Sequence, residues 1–140
     1  MPKFMSSSFF SFFLSVILWS FTSYVHGAVH YVQSADDLKE LIRANSFSPN
    51  DEIVWKNGTY ANQSIKLKGI DGTAEAPLVF RAETPGGVIF TGASQLRIGS
   101  DYAVVSGFQF ICPSSGKIPD KIIQFRANEG DVANSSRLTQ

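Results

Sequence analysis

The side chains that most often carry catalysis or bind metals are few in this sequence. It has two histidines, His26 and His30, and one cysteine, Cys112. A single cysteine excludes an internal disulfide framework and a zinc site built from several thiolates. His30 would have to fold back to reach any serine, so we expect a surface or strand-end histidine rather than a member of a catalytic triad. Cys112 ends an apolar run with no cation close beside it, and we expect a buried, inert thiol.

The carboxylates occur mostly singly, in segments with turn chemistry. The single ones are Asp71, Glu75, Glu83 and Asp101. Two pairs are adjacent: Asp36-Asp37 lies at the start of a predicted helix, and Asp51-Glu52 opens a predicted strand. None of them has the spacing of a calcium-binding loop, so turn and capping roles are expected. From these residues we assign no catalytic, cofactor-binding or metal-binding residue.

Four cations alternate with apolar neighbours and are therefore expected to point outward from strands. They are Lys66, Lys68, Arg81 and Arg97. Stacked outward cations could form a ladder that meets an acidic polymer. The alternative, which we favour, is that they are ordinary solvated positions that also discourage edge pairing, because acidic residues are equally numerous.

The overall charge argues against a nucleic-acid-binding protein. The 140 residues carry 12 basic and 12 acidic side chains, whereas such proteins usually show a basic balance. The length suits one domain. Three Asn-x-Ser/Thr sequons begin at Asn57, Asn62 and Asn134, but they matter only if a eukaryote secretes the chain, and turn chemistry explains the first equally well.

The first 27 residues have the layout of a secretory signal peptide. Lys3 is followed by an apolar run from Phe9 to Trp19 and then by more polar residues ending in Gly27. We predict cleavage after Gly27, leaving 28–140 as the folded part. A transmembrane anchor is the alternative, but the apolar run is about half the roughly 20 residues needed to span a bilayer.

The elements that must position these residues are one helix followed by many short strands. The capping pattern Ser34 to Asp37 and the helical spacing of apolar residues predict a helix over 35 to about 45. Eight strand-like runs follow, separated by Gly-, Pro- and Asn-rich turns. They are 53–55, 65–67, 78–80, 88–90, 96–98, 104–105, 108–110 and 122–125.

Short strands with frequent turns are compatible with a sandwich, a barrel or a solenoid. Similar runs return after roughly 20–24 residues, comparing Leu78–Phe80 with Ala103–Val105 and Val88–Phe90 with Phe108–Phe110, which is typical of stacked repeats. The lone helix suits a lid for one end of the stack. We therefore predict an all-β, right-handed parallel β-helix with an N-terminal capping helix.

The other end of the sequence carries no comparable cap. Arg137 to Gln140 resembles the opening of another alternating strand. Because terminal repeats normally carry an atypical polar cap, we expect the chain to be a fragment of a longer solenoid.

When its short sequence motifs are compared, rather than its hydrophobic periodicity, the strand region resembles the N-terminal part of polysaccharide lyase family 6, the alginate lyase and chondroitinase B family. The similarity covers about Val29 to Gln140, with minor departures such as Asn57, where the family often has Asp. The matching pieces, in order, are Asn57–Tyr60, Gly72–Leu78, Arg81–Gly86, Thr91–Ser94, Leu96–Gly99, Tyr102–Phe110, Ile123–Arg126 and Arg137–Thr139.

This resemblance implies a parallel β-helix that cleaves uronate-containing polysaccharides by β-elimination. In the family's scheme, calcium neutralises the uronate carboxylate, a Lys removes the C5 proton and an Arg assists departure of the glycosidic oxygen. These residues and the calcium ligands belong to coils beyond the position of Gln140. Lys66 and Lys121 do not lie in the catalytic motif, so no catalytic or metal-binding residue is carried over and this stretch alone is expected to be inactive.

The expected function is therefore that of a secreted or periplasmic lyase on an acidic polysaccharide, with alginate (poly-β-D-mannuronate) as first substrate. Two alternatives stay open: a chondroitinase B-type lyase on dermatan sulfate, and a non-catalytic carbohydrate-binding β-solenoid. The resemblance implies calcium for the whole family member, and we expect neither a nucleic-acid partner nor a membrane partner after signal cleavage.

Overall fold

The computed structural model describes residues 27–44, 47–48, 50–113 and 116–140. The expected signal peptide lies outside the described residues, except for Gly27. No helix within the described ranges is both long and apolar enough to cross a membrane. In chain order the elements are β1 (Val29–Val32), α1 (Ala35–Ala44), β2 (Glu52–Trp55), β3 (Gly58–Ala61), β4 (Ser64–Leu67), β5 (Leu78–Ala82), β6 (Val88–Thr91), β7 (Gln95–Ile98), β8 (Ala103–Ser106), β9 (Phe108–Ile111), β10 (Ile123–Gln124), β11 (Arg126–Asn128), β12 (Asp131–Val132) and β13 (Arg137–Thr139).

The strands form three parallel sheets that run along the stack. Sheet 1 has the order β1-β2-β5-β8-β13, sheet 2 the order β3-β6-β9, and sheet 3 the order β10-β7-β4. The coils that begin with β2, β5 and β8 each contribute one strand to each sheet, whereas the first coil contributes only β1, followed by α1. This is the predicted parallel β-helix. The sandwich and the barrel, which the strand pattern alone left open, are excluded.

The two pairs of similar segments that predicted a repeat are paired with each other on neighbouring strands. Leu78 pairs with Ala103, 25 positions later, and Val88 pairs with Phe108, 20 positions later. Elsewhere the coils are longer, since Val104 pairs with Arg137 after 33 positions. The repeat looked inexact because the loops at all three corners of the coils differ in length.

The core is a stack of apolar side chains from successive coils. Tyr60, Phe90 and Phe110 occupy the same place in three neighbouring strands of sheet 2. Trp55 and Phe108 pack around Phe90 with ring centroids 5.0 and 5.5 Å away, in tilted or edge-on arrangements that aromatic pairs favour. Alternating inward residues thus fill the interior and leave the outward positions to face solvent.

Helix α1 caps the first coil, as predicted. The Ser34 hydroxyl accepts a hydrogen bond from the Asp37 backbone NH at 3.0 Å, and the Asp37 carboxylate accepts one from the Gln33 NH at 3.0 Å. Hydrogen bonding of the Asp37 carboxylate to the Ser34 side chain first, and to the Gln33 NH second, lowers the pKa of Asp37. Leu38 is buried against the core, so the helix covers apolar side chains at this end.

Three features of the fold differ from the sequence prediction. Strand β3 begins at Gly58, where Asn57-Gly58 was interpreted as a turn, because a four-residue strand with one inward aromatic shows almost no alternation. Strand β1 was also missed. Strands β11 and β12 form a small antiparallel hairpin outside the three sheets. The predicted strand opening at Arg137 is real and pairs in parallel with β8.

Candidate functional site

The four outward cations, for which a single ladder was the less favoured possibility, lie on two different sheets. Lys66 on β4 and Arg97 on β7 are direct register partners in sheet 3, and Lys68 follows β4. Arg81 lies on β5 in sheet 1. The four-membered ladder is therefore wrong, because alternation shows which side chains point outward but not which sheet each strand joins. A shorter ladder of Lys66 and Arg97 is present.

Arg81 is balanced by a carboxylate on the neighbouring coil. Its Nε donates to Glu52 Oε2 at 2.8 Å, and both side chains are about one-third exposed, at 36% and 34%. This surface ion pair fits the solvated role that we favoured for the outward cations.

Lys66 and Lys68 are held by the antiparallel hairpin. Lys66 Nζ donates to Asn128 Oδ1 at 2.9 Å, whereas Lys68 Nζ donates to Asp131 Oδ2 at 2.7 Å. Hydrogen bonds from Lys68 first and from Asn128 second lower the pKa of Asp131. Lys68 is therefore paired with an anion, but the hydrogen-bond partner of Lys66 is a neutral amide.

Arg97 also contacts a neutral side chain. Its Nη2 donates to Gln95 Oε1 at 3.2 Å. Its Nε is shielded from solvent and has no hydrogen-bond partner among the described residues. An arginine Nε normally donates a hydrogen bond, so this NH is an unsatisfied buried donor, as are Trp55 Nε1 and Ser100 Oγ among the described residues.

Two open grooves lie along sheet 3, one on each side of this cation pair. The first, of about 630 Å³, runs between α1 and β4 and includes Lys66 in its lining. The second, of about 420 Å³, runs between the ends of β7 and β10 and the segment 117–121 and includes Arg97. We call these two grooves, with the cations between them, the sheet 3 track.

His30 and Asp51 form a pair near the first coil. His30 is the second residue of strand β1, and its Nε2 lies 3.2 Å from Asp51 Oδ2. Asp51 is only 4% exposed and also accepts hydrogen bonds from the backbone NH groups of Ala28 and Ser48, at 2.6 and 2.9 Å. The Ser48 bond contributes most to lowering the pKa of Asp51, and His30 contributes further. The pair ties a loop to the first strand.

Several of the isolated turn carboxylates tie neighbouring coils together, as expected for structural roles. Asp71 accepts a hydrogen bond from the backbone NH of Asp101 at 2.9 Å, and Asp101 accepts one from that of Asn134 at 2.8 Å. Glu83 accepts one from the NH of Asn57 at 3.0 Å. These bonds satisfy backbone groups at the corners of the coils.

Cys112 is exposed, so the predicted burial is wrong. Strand β9 ends at Ile111, which is itself 52% exposed, and the chain leaves the stack at that point. The apolar run in the sequence continues past the last residue that the core can cover.

The described ranges contain no group of three or more His, Cys, Asp or Glu side chains that could hold a metal ion. No ligand set for the calcium implied by the resemblance is assigned to these residues. No catalytic step is derived through it from these residues.

Sequence reasoning missed the polar residues that complete the sheet 3 track. Gln63, Gln95 and Asn128 place amide groups beside the cations, and Lys39 and Arg43 approach from α1. The i, i+4 spacing of Lys39 and Arg43 places them on one helix face and is visible in the sequence. The contact between Asn128 and Lys66 could not be predicted from the sequence, because it depends on the hairpin formed by β11 and β12.

A family model described as Chondroitinase B matches residues 32–140, which is nearly all of the described chain. The chain belongs to the chondroitinase B family. The comparison with curated proteins gives no significant match.

Solved structures agree with this family assignment. The polysaccharide lyase family 6 alginate lyase AlyGC is 30% identical over 81% of this chain, with a TM-score of 0.68. A mannuronic acid specific family 6 lyase from the human gut microbiota is 25% identical over 80% of this chain, with a TM-score of 0.60. The chain spans only 15% and 25% of these two neighbours, so the site residues of a complete family member are not identified by these matches.

Proposed function

We propose that this chondroitinase B family chain forms the first coils of a polysaccharide lyase that cleaves a uronate-containing polymer by β-elimination, with alginate as the substrate. The observation that carries the proposal is the family match over 32–140. The choice of alginate is supported by the two lyase neighbours, one an alginate lyase and the other specific for mannuronic acid.

The reaction requires a group that stabilises the enolate-like charge formed when the C5 proton leaves. In this proposal, calcium supplies that stabilisation by neutralising the uronate carboxylate, and it is held by residues beyond Gln140. The proton-accepting Lys and the assisting Arg belong to the same later coils. The role of the described residues is to build and cap the stack on which those coils rest.

The test is to express the complete open reading frame and to follow the absorbance of unsaturated uronate ends on polymannuronate, with and without a calcium chelator. We expect product formation that the chelator abolishes and added calcium restores. The 140-residue chain is the matched control and should give no product. Product from this shorter chain would show that a catalytic site lies within it, contrary to the proposal.

Dermatan sulfate is the second candidate substrate, because the matching family model is described as Chondroitinase B. Cleavage of either polymer yields an unsaturated uronate, so the same assay compares the cleavage rates on the two polymers directly. Faster cleavage of dermatan sulfate than of polymannuronate would replace the proposed substrate while keeping the reaction.

We further propose that residues 1–27 direct export to the periplasm or the medium. The support is the charged start, the apolar run and the small residues before Ala28. N-terminal sequencing of the exported protein should begin at Ala28, and retention of Lys3 would contradict cleavage.

A further inference from the structure

The two grooves of the sheet 3 track gather more than half of the chain's basic residues on one face. Lys39, Arg43, Lys66 and Lys68 line the first groove. Arg97, Lys117 and Lys121 line the second. These are seven of the 12 basic side chains, whereas the same linings include two of the 12 acidic ones, Asp36 and Asp120. The neutral overall charge therefore conceals one basic face.

The centre of the track is the pair Lys66 and Arg97, which the fold places side by side on neighbouring strands. Neighbouring strands lie about 4.8 Å apart, and like charges directly opposite each other destabilise a sheet. Neither cation belongs to an ion pair among the described residues. Arg81 on sheet 1, by contrast, is paired with Glu52.

The hydrogen bonds of the pair do not cancel its charge, and the nearest carboxylate, Asp131, interacts with Lys66 only electrostatically while it is bonded to Lys68 and Asn128. The acceptors for Lys66 and Arg97 are the neutral amides of Asn128 and Gln95. These amides orient the cations without cancelling their charge. The buried Arg97 Nε has no acceptor at all in the described structure. An anionic group placed between the two cations would relieve their repulsion and could accept hydrogen bonds from Lys66 Nζ and the Arg97 guanidinium nitrogens that reach solvent.

The lining chemistry selects the class of anion. Amide and hydroxyl groups of Gln63, Ser64 and Gln124 lie among the cations, and these groups match sugar hydroxyls. The described residues of both linings include no aromatic side chain, whereas proteins that bind single-stranded nucleic acid stack bases on aromatic rings. Lys66 in the first lining and Arg97 in the second are register partners on neighbouring strands, so the two grooves lie next to each other along sheet 3.

We propose that the sheet 3 track binds a linear polysaccharide bearing uronate carboxylates, one of which lies between Lys66 and Arg97. The ligand class rests on the proposed function, because the named lyase neighbours include an alginate lyase and a mannuronic acid specific lyase. The track itself rests only on the geometry and charges described above.

The test measures binding of oligomannuronate to the full-length protein by calorimetry at low salt. Dermatan sulfate oligosaccharide is a second acidic probe and a neutral glucan oligosaccharide is the uncharged control. The double variant Lys66→Gln/Arg97→Gln should raise the Kd about tenfold or more, because it removes both cations that would hold the carboxylate. Binding of either acidic probe supports the track, and the tighter one identifies the polymer.

Two further variants separate the track from general charge and folding effects. Lys56→Gln removes an exposed cation that lies 5.8 Å from the centre of the Tyr31 ring on another face, and it should leave the Kd unchanged. Lys66→Arg/Arg97→Lys keeps both charges and should largely retain binding. Equal weakening by Lys56→Gln, equal binding of the neutral glucan, or no binding of either acidic probe would overturn the proposal.

The lyase assay distinguishes failure of the track from failure of the proposed function. Binding that depends on Lys66 and Arg97 but no cleavage would contradict the lyase proposal alone. Cleavage by the complete protein with the same KM in the wild type and in Lys66→Gln/Arg97→Gln, together with an unchanged Kd, would contradict the track alone.

Discussion

Asp51 is the one ionisable side chain that is buried among the described residues, and its hydrogen bonds hold together the start of the fold. Its oxygens accept bonds from Ala28, Ser48 and His30. A carboxylate that accepts several hydrogen bonds is stabilised in its charged form, which explains the direction of its pKa.

This arrangement predicts that acid weakens the fold through Asp51. Because the folded-state pKa of Asp51 lies below its ordinary value, the stabilisation is fully present above about pH 4 and is lost as pH falls through the folded value. Asp51→Asn should therefore lower the Tm at neutral pH, and its difference from the wild type should shrink towards pH 3. Thermal unfolding followed by circular dichroism at several pH values measures both quantities.

The matched control is Glu75→Gln, which removes an exposed carboxylate from a loop. It should leave the Tm nearly unchanged at neutral pH. A gap between wild type and Asp51→Asn that stays constant from neutral pH to pH 3 would contradict a charge-dependent role for Asp51.

Single residues also show where sequence reasoning succeeds and where it stops. Alternation correctly assigned Lys66 and Arg97 to outward positions, because the period of a strand is local. It could not show that Arg81 belongs to another sheet or that Asn128 reaches Lys66, because both depend on contacts between distant coils. The burial predicted for Cys112 was wrong for the same reason. Its apolar neighbours are visible in the local sequence, but where the core ends depends on contacts with other coils.

At the level of elements, α1 stabilises the stack by covering the apolar end of the first coil. Its existence was predictable from the capping pattern at Ser34 and from the spacing of Leu38 and its apolar neighbours. Apart from β1, which was missed, the strands of sheet 1 and sheet 3 were equally visible, since each is an apolar or alternating run. Strand β3 was not, because Gly58 and a single inward Tyr60 give no recognisable pattern.

The helix cap gives a direct prediction at this scale. Ser34→Ala removes the acceptor for the Asp37 NH and should lower the free energy of unfolding by about 0.5–2 kcal/mol. Urea unfolding measures the change. Ser34→Thr keeps the hydroxyl and should cost much less, so an equal loss in both variants would show that the cap hydrogen bond is not the cause.

The whole molecule is a parallel stack in which every coil rests on the one before it. The registers link β2 to β5, β5 to β8 and β8 to β13, so each coil offers its outer edge to the next. Stability in such a solenoid is close to a sum of coil and neighbour terms. In such a stack, the catalytic residues can lie on some coils and the residues that bind the substrate on others.

The measurement that tests the central claim most directly is to read the coding sequence past codon 140. The account predicts an open frame with further coils that carry a Lys, an Arg and acidic or amide calcium ligands. A stop codon at that point would contradict the proposal that this chain is the front of a lyase, although its family and fold would stand.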